Sequence, residues 1–247
     1  MSKIKIFVIV VIVLGVCGVF AHYAFSVSKD LKEENLIKEE FSKIMELNKD
    51  KEANKEEIDN ILARTVTSGS YSKVENASKE YLRDLYNYID NINYLVSSEN
   101  VNYLSIDNIK ADMGNDFSNS KQNIADTKSQ ISDNINKLID ILTNETVIMS
   151  YLDIAKLNDY YINFYRDLVL DNGIDAEYIN NKYGYLIERL NIYEKALDFL
   201  AANKKHWSIS DKISENPTIM FDNSDLMAEY QAIVAELNDT AKNIQEQ

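Results

Sequence analysis

The sequence predicts an all-α protein: a single N-terminal transmembrane helix, then an antiparallel bundle of four to five helices with one small β-hairpin near the C-terminus. Three observations carry this expectation. The chain of 247 residues holds one proline and six glycines, too few for a strand-rich fold, which needs turn residues about every dozen positions. Residues 6–21 read IFVIVVIVLGVCGVFA without a charge. Beyond them apolar residues recur with alternating spacings of four and three, the stripe of a helix that buries one face.

In chain order, residues 1–25 read as a transmembrane signal anchor, 26–69 as a helical stalk with the first helices, and 70–247 as the bundle domain, with its hairpin at 206–222. Residues 4–25 reach about the length that crosses a bilayer of about 30 Å as a helix. Lys3 and Lys5 favour an inside N-terminus, which places the bundle outside the cytoplasm. Cleavage after Ala21 is the rival reading, opposed by an apolar run longer than a secretory h-region. Leu14 to Cys17 has the outline of a lipobox, but Val16 stands where a small residue is expected before the cysteine.

Past the anchor, Leu36, Ile37, Phe41, Ile44 and Leu47 mark a stalk helix. The charge run from Lys49 to Glu57 reads as a solvated face or loop. Ile58, Ile61, Leu62 and Val66 suggest a second short helix, ended by the break at Thr67 to Ser70. Ser72 and Glu75 stand at capping-box spacing, opening a helix striped with Val74, Tyr81, Leu85, Tyr88, Ile92 and Leu95. A short amphipathic piece at 101–109 leads to Gly114. The columns Ile124/Ile131/Leu138 and Ile135/Leu142/Met149 are heptad-spaced and run to a polar kink near Thr143 and Asn144. Ile154, Leu157, Tyr161, Phe164 and Leu168 repeat the pattern, and Asp175 is placed to cap a helix bearing Ile179, Tyr183, Leu186, Leu190, Tyr193, Leu197 and Leu200. Between Lys204 and Asp222 the period changes to two around the turn cluster Ser214 to Pro217, hence the hairpin. Asn223 or Ser224 then caps a last helix with Leu226, Tyr230, Ile233 and Leu237.

Composition excludes more functions than it suggests. A net charge of −14 and an isoelectric point near 4.6, with no basic cluster, remove the electrostatic basis for nucleic-acid binding. The single cysteine, Cys17, allows neither an intramolecular disulfide nor a cysteine metal site. His22 and His206 are the only histidines. With His206 the single histidine beyond the apolar run, neither a Ser-His-Asp triad nor a multi-histidine zinc site is expected within one chain, and neither histidine has the Glu-x-x-His context of a di-iron bundle. No phosphate-binding glycine loop occurs. The expectation is a protein that is not an enzyme and needs no metal or cofactor. Carboxylate pairs such as Asp153 with Asp159, or Glu188 with Glu194, leave a carboxylate-dependent hydrolase as the remotest reading.

Two features point instead to recognition. Seven of the 16 tyrosines cluster between 160 and 193, and Tyr160, Tyr165 and Tyr185 fall off the apolar stripes, so they are candidates for contact with a partner or ligand. Tyr161, Tyr183 and Tyr193 lie on the stripes and read as packing. His206 and Trp207 sit in the hairpin and form the second candidate contact site; the alternative for that hairpin is a lid with Trp207, Ile209, Ile219 and Phe221 turned inward. The functional expectation is a membrane-anchored extracytoplasmic module that binds a protein, scaffolds or self-associates through its heptad stripes. The alternative is a binding domain for a small ligand or cell-wall glycan.

Overall fold

The computed structural model describes residues 27–48, 51–97, 101–170, 176–210 and 218–245. The expected anchor at 1–25, the Asp175 cap and the hairpin turn at 214–217 lie outside the described residues. Among the described residues, no helix is long and apolar enough to cross a membrane. They are mostly helical: α1 (27–47), α2 (Lys51–Ala63), α3 (Ser70–Leu95), α4 (Ile106–Asp112), α5 (Ser118–Thr143), α6 (Glu145–Ser150), α7 (Asp159–Leu170), α8 (Ala176–Ala202) and α9 (Ser224–Gln245). One antiparallel hairpin, β1 (Trp207–Ser210) with β2 (Thr218–Phe221), precedes α9. The chain divides into two compact units, one of residues up to Arg83 with Ile148–Asn172, the other of Asp84–Val147 with Gly173–Gln247.

In the first unit, α1 lies against the start of α3 and against α7. Its buried apolar residues are Ile37, Phe41 and Ile44, three members of the stripe read from the sequence. Ser68 bonds Glu33 while Lys79 reaches Glu40, so partners advance together along α1 and α3, and the two helices run parallel. The same holds for α7, where Tyr160 bonds Glu34 and Phe164 lies beneath Lys38. Helix α2 runs back along α1, with Lys43 paired to Glu57 and Glu40 to Arg64. The antiparallel order expected throughout therefore does not describe α1, α3 and α7.

The second unit does contain antiparallel packing. Lys121 pairs with Asp198 and Lys128 with Glu194, so α5 and α8 pass in opposite directions. Lys195 pairs with Glu236, and Phe199 stacks on Tyr230, which orients α9 against α8 in the same way. The heptad columns of α5 are buried at Ile124, Ile131, Ile135, Leu138 and Leu142, and all seven stripe residues expected in α8 are buried. Helix α9 docks through Ile233 onto Ile192 and Ala196, with Leu104, Phe199, Tyr230 and Leu237 around them. Asn223 caps α9, its Oδ1 accepting the Asp225 and Leu226 N–H groups at 2.7 and 3.3 Å.

Local expectations fail where a tertiary partner outbids the local one. The capping box at Ser72 and Glu75 does not form: α3 starts at Ser70, Ser72 Oγ donates to the Gly69 carbonyl at 2.8 Å, and Glu75 is engaged elsewhere. Residues 51–57 of the charge run belong to α2, because charged residues of high helix propensity can fill a helix's solvent side. Ile154 is 52% exposed in a 3₁₀ turn, and α7 starts at Asp159 behind the Asn158 side chain, which accepts the Tyr160 and Tyr161 N–H groups.

Candidate functional site

Two constellations stand out, one in each unit. In the first, Glu75 and Lys79 are a helical i, i+4 pair on the side of α3 that faces α1, exposed by 1% and 4%. Lys79 Nζ donates to Glu75 Oε1 at 2.6 Å, to Glu40 Oε2 at 3.1 Å and to the Arg64 carbonyl at 2.9 Å, which uses all three of its donors. Glu75 also accepts the Val66 and Thr67 N–H groups and, at 2.6 Å, the Thr67 hydroxyl. Arg64 completes the set with two bonds to Glu40. Burial pushes both carboxyls toward protonation. For Glu75 the bonds from Lys79, Thr67 and the Val66 N–H, and for Glu40 those from Arg64 and Lys79, outweigh burial and hold each pKa below its ordinary value. Both carboxylates are thereby kept charged, and the network ties α1, the α2–α3 connection and α3 together.

The residues expected to make contacts scatter. Tyr165 is fully buried, its hydroxyl donating to the Ile148 carbonyl at 3.0 Å, so it packs rather than contacts. It was misplaced because α7 buries Phe164 and Tyr165 side by side, whereas stripe reasoning allows one buried face. Tyr160 is 53% exposed, with its hydroxyl on Glu34 and its ring edge-to-face with Tyr161 at 5.5 Å. Trp207 is buried: Nε1 donates to the Leu200 carbonyl at 2.8 Å, and the indole stacks on Phe117 at 6.3 Å. With Trp207 opposite Phe221 and Ile209 opposite Ile219, and Phe221 packed on Phe199 and Tyr230, the apolar side of the hairpin faces the helices, as the lid alternative requires. His206 is exposed, with Nδ1 3.2 Å from Asp222 Oδ1.

Of the five, Tyr185 lines a groove. In the second unit, Ile89 and Asn93 of α3 face Tyr178, Asn181, Lys182, Tyr183 and Tyr185 of α8 across a cavity of ≈ 430 Å³. Tyr178, Asn181, Lys182 and Tyr185 are spaced i, i+3, i+4 and i+7, one face of a helix. Tyr183 is buried at the groove floor and Tyr178 is 51% exposed. Lys182 Nζ lies 5.6 Å from the ring centroids of both Tyr178 and Tyr183, within cation–π range. Burial pushes the Tyr183 hydroxyl up to about 12 and raises that of Tyr185, whose shift Arg189 opposes; both remain neutral donors at physiological pH. The sequence held this signal in the spacing of Tyr178 to Tyr185, but the Asn93 wall comes from a segment more than eighty residues away in the chain, beyond the reach of a periodicity argument.

Among the described residues, no group of three or more His, Cys, Asp or Glu side chains is placed to hold a metal ion. Asp153 pairs with Lys156 at 2.7 Å and Glu194 with Lys128 at 2.5 Å. The fold and groove define a helical-bundle protein with an aromatic, polar cleft. Comparison with protein-family models, with curated proteins and with solved structures finds no match to this chain.

Proposed function

We propose that this chain is a non-enzymatic binding module, tethered to the cell membrane by its N-terminal segment and presenting its helical bundle outside the cytoplasm. The observation that carries the binding reading is the tyrosine-lined groove between α3 and α8. Its volume falls within the range of small-molecule sites, about 300–1,000 Å³, and aromatic walls with a few polar groups are the usual construction of such sites. The carboxyls with clearly displaced pKa values support the non-catalytic part. Glu40, Glu75, Asp112, Asp116 and Asp153 all lie below the ordinary range, opposite to the elevation a general acid needs near neutral pH. The tether rests on the uncharged run at 6–21 and the flanking Lys3 and Lys5.

A protein-binding or scaffolding role and a ligand- or glycan-binding role share this module, and the concave groove favours the second. The test places a photo-crosslinking residue at position 178, or at the exposed Met227 of α9 as a control, and irradiates intact cells before and after external protease treatment. The expected result is an adduct from 178 only and digestion of the bundle from outside, with Met1 retained on the membrane fragment. A protected bundle overturns the extracytoplasmic placement; equal or absent adducts at both positions overturn the groove as the contact surface.

A further inference from the structure

We infer that the α3–α8 groove binds a carboxylate-bearing saccharide about two sugar rings long, a size matched to a cavity at the small end of the ligand-site range. This rests on the binding reading above and narrows its ligand. The charge preference comes from Lys182. In a chain of net charge −14, Lys182 is the one cation among the described residues of the groove lining, and none of those residues is a carboxylate. Lys121, Lys128, Lys195 and Lys204 each pair with a carboxylate, whereas Lys182 makes no ion pair among the described residues and rests on two tyrosine rings. Ring faces attract the ammonium but accept none of its N–H bonds as a carboxylate would. A ligand carboxylate supplies what the groove lacks.

The polar lining selects the rest of the ligand. The amides of Asn93 and Asn181 make no hydrogen bond among the described residues, and each offers a donor beside an acceptor, the complement of two neighbouring hydroxyls that both give and take a proton. The half-exposed Tyr178 ring provides an apolar face for the C–H side of a pyranose, and the Tyr185 hydroxyl provides a neutral polar tip. An acidic peptide would present several carboxylates to a single cation. A bound strand would need the unpaired edge of a sheet, which α3 and α8 cannot offer.

The test titrates the full-length protein in detergent micelles with digalacturonate, its dimethyl ester and tetraglutamate, following binding by calorimetry. Digalacturonate is expected to bind about tenfold more tightly than the ester, the factor of a charge-assisted contact. Lys182→Gln should lower affinity for the acid to that for the ester, Tyr178→Ala and Asn181→Ala should weaken both, and Lys195→Gln, outside the groove, should change neither. Helicity and Trp207 emission of each variant establish that it is folded. Equal affinity for acid and ester, or an unaffected Lys182→Gln variant, overturns the inference; tighter binding of tetraglutamate overturns it in favour of a peptide. No binding of any probe, with the position-178 adduct still formed on cells, overturns the saccharide alone. Loss of both overturns the groove as a site.

Discussion

Replacing Lys79 with Met removes a buried cation while keeping most of the side-chain volume. The change withdraws three donors, from Glu75 at 2.6 Å, Glu40 at 3.1 Å and the Arg64 carbonyl at 2.9 Å. Glu40 retains Arg64 and Glu75 retains the bonds from Val66 and Thr67, so neither carboxylate is stripped bare. Removing one partner of a buried ion pair costs about 3–5 kcal/mol, and these remaining donors place the expected loss near the lower end, about 3 kcal/mol. At about 4–8 °C per kcal/mol for a unit of about a hundred residues, that is a fall of about 12–24 °C in the melting of the first unit. The pH dependence carries a sign. In the native protein both carboxyls lie below their ordinary values, so their contribution is present above the unfolded value of about 4.3 and is lost as pH falls through the folded values. Without Lys79, burial prevails at Glu75 and its pKa rises above the ordinary value; the folded variant then binds the extra proton and gains stability as pH falls. The gap between the two proteins should therefore narrow from pH 7 to pH 4. Far-UV circular dichroism of the full chain in micelles measures the gap, and hydrogen exchange at the Val66 and Thr67 amides localises it. A loss under about 1 kcal/mol, or one that does not change with pH, would refute the assignment of net stabilisation to this network.

Truncating Arg64 to Ala should cost much less, at most about 1 kcal/mol, because half of that side chain is in water and screening weakens its pairing with Glu40; the same melts read it. Trp207→Phe should cost about 2 kcal/mol by orphaning the buried Leu200 carbonyl and shrinking the stack on Phe117, with faster exchange at the end of α8. Gly69 has φ +62 with open space around it, so Ala should destabilise by about 1 kcal/mol through backbone strain, and Asn by less, in thermal melts. Asp112→Ala should cost about 1–2 kcal/mol, because its carboxylate accepts the Ser120 N–H at 2.7 Å and the Asn119 amide at 2.9 Å in place of a local cap for α5. Burial raises the Asp112 pKa, but those bonds hold it below the ordinary value. The wild-type advantage should accordingly be present above the usual Asp range and vanish in acid, a trend that denaturation from pH 7 to pH 2 would reveal.

Periodicity located the long helices well because burying one face is a local property written at intervals of three and four residues. All seven stripe residues of α8 and the heptad columns of α5 through Leu142 are buried, and the change to a period of two placed the hairpin, with Trp207 opposite Phe221. The same reasoning failed where burial came from two sides, as at Tyr165, or where an isolated pattern lacked a helix start, as at Ile154. The capping box illustrates a different failure: Glu75 was read against its nearest backbone donors, while the chain delivers Val66, Thr67 and Lys79 to it instead.

The sequence by itself determined a helical chain with a terminal hairpin and the inward face of each long helix, both of which depend on composition or on spacing within one element. Only the tertiary structure decided the direction in which α1, α3 and α7 run, the burial of Glu40, Glu75 and Lys79, and the meeting of Asn93 with Tyr178 and Tyr185. These depend on which faces approach each other across long stretches of chain. Contacts of that kind leave no periodic trace, because each partner alone reads as an ordinary charge or tyrosine on a solvated helix.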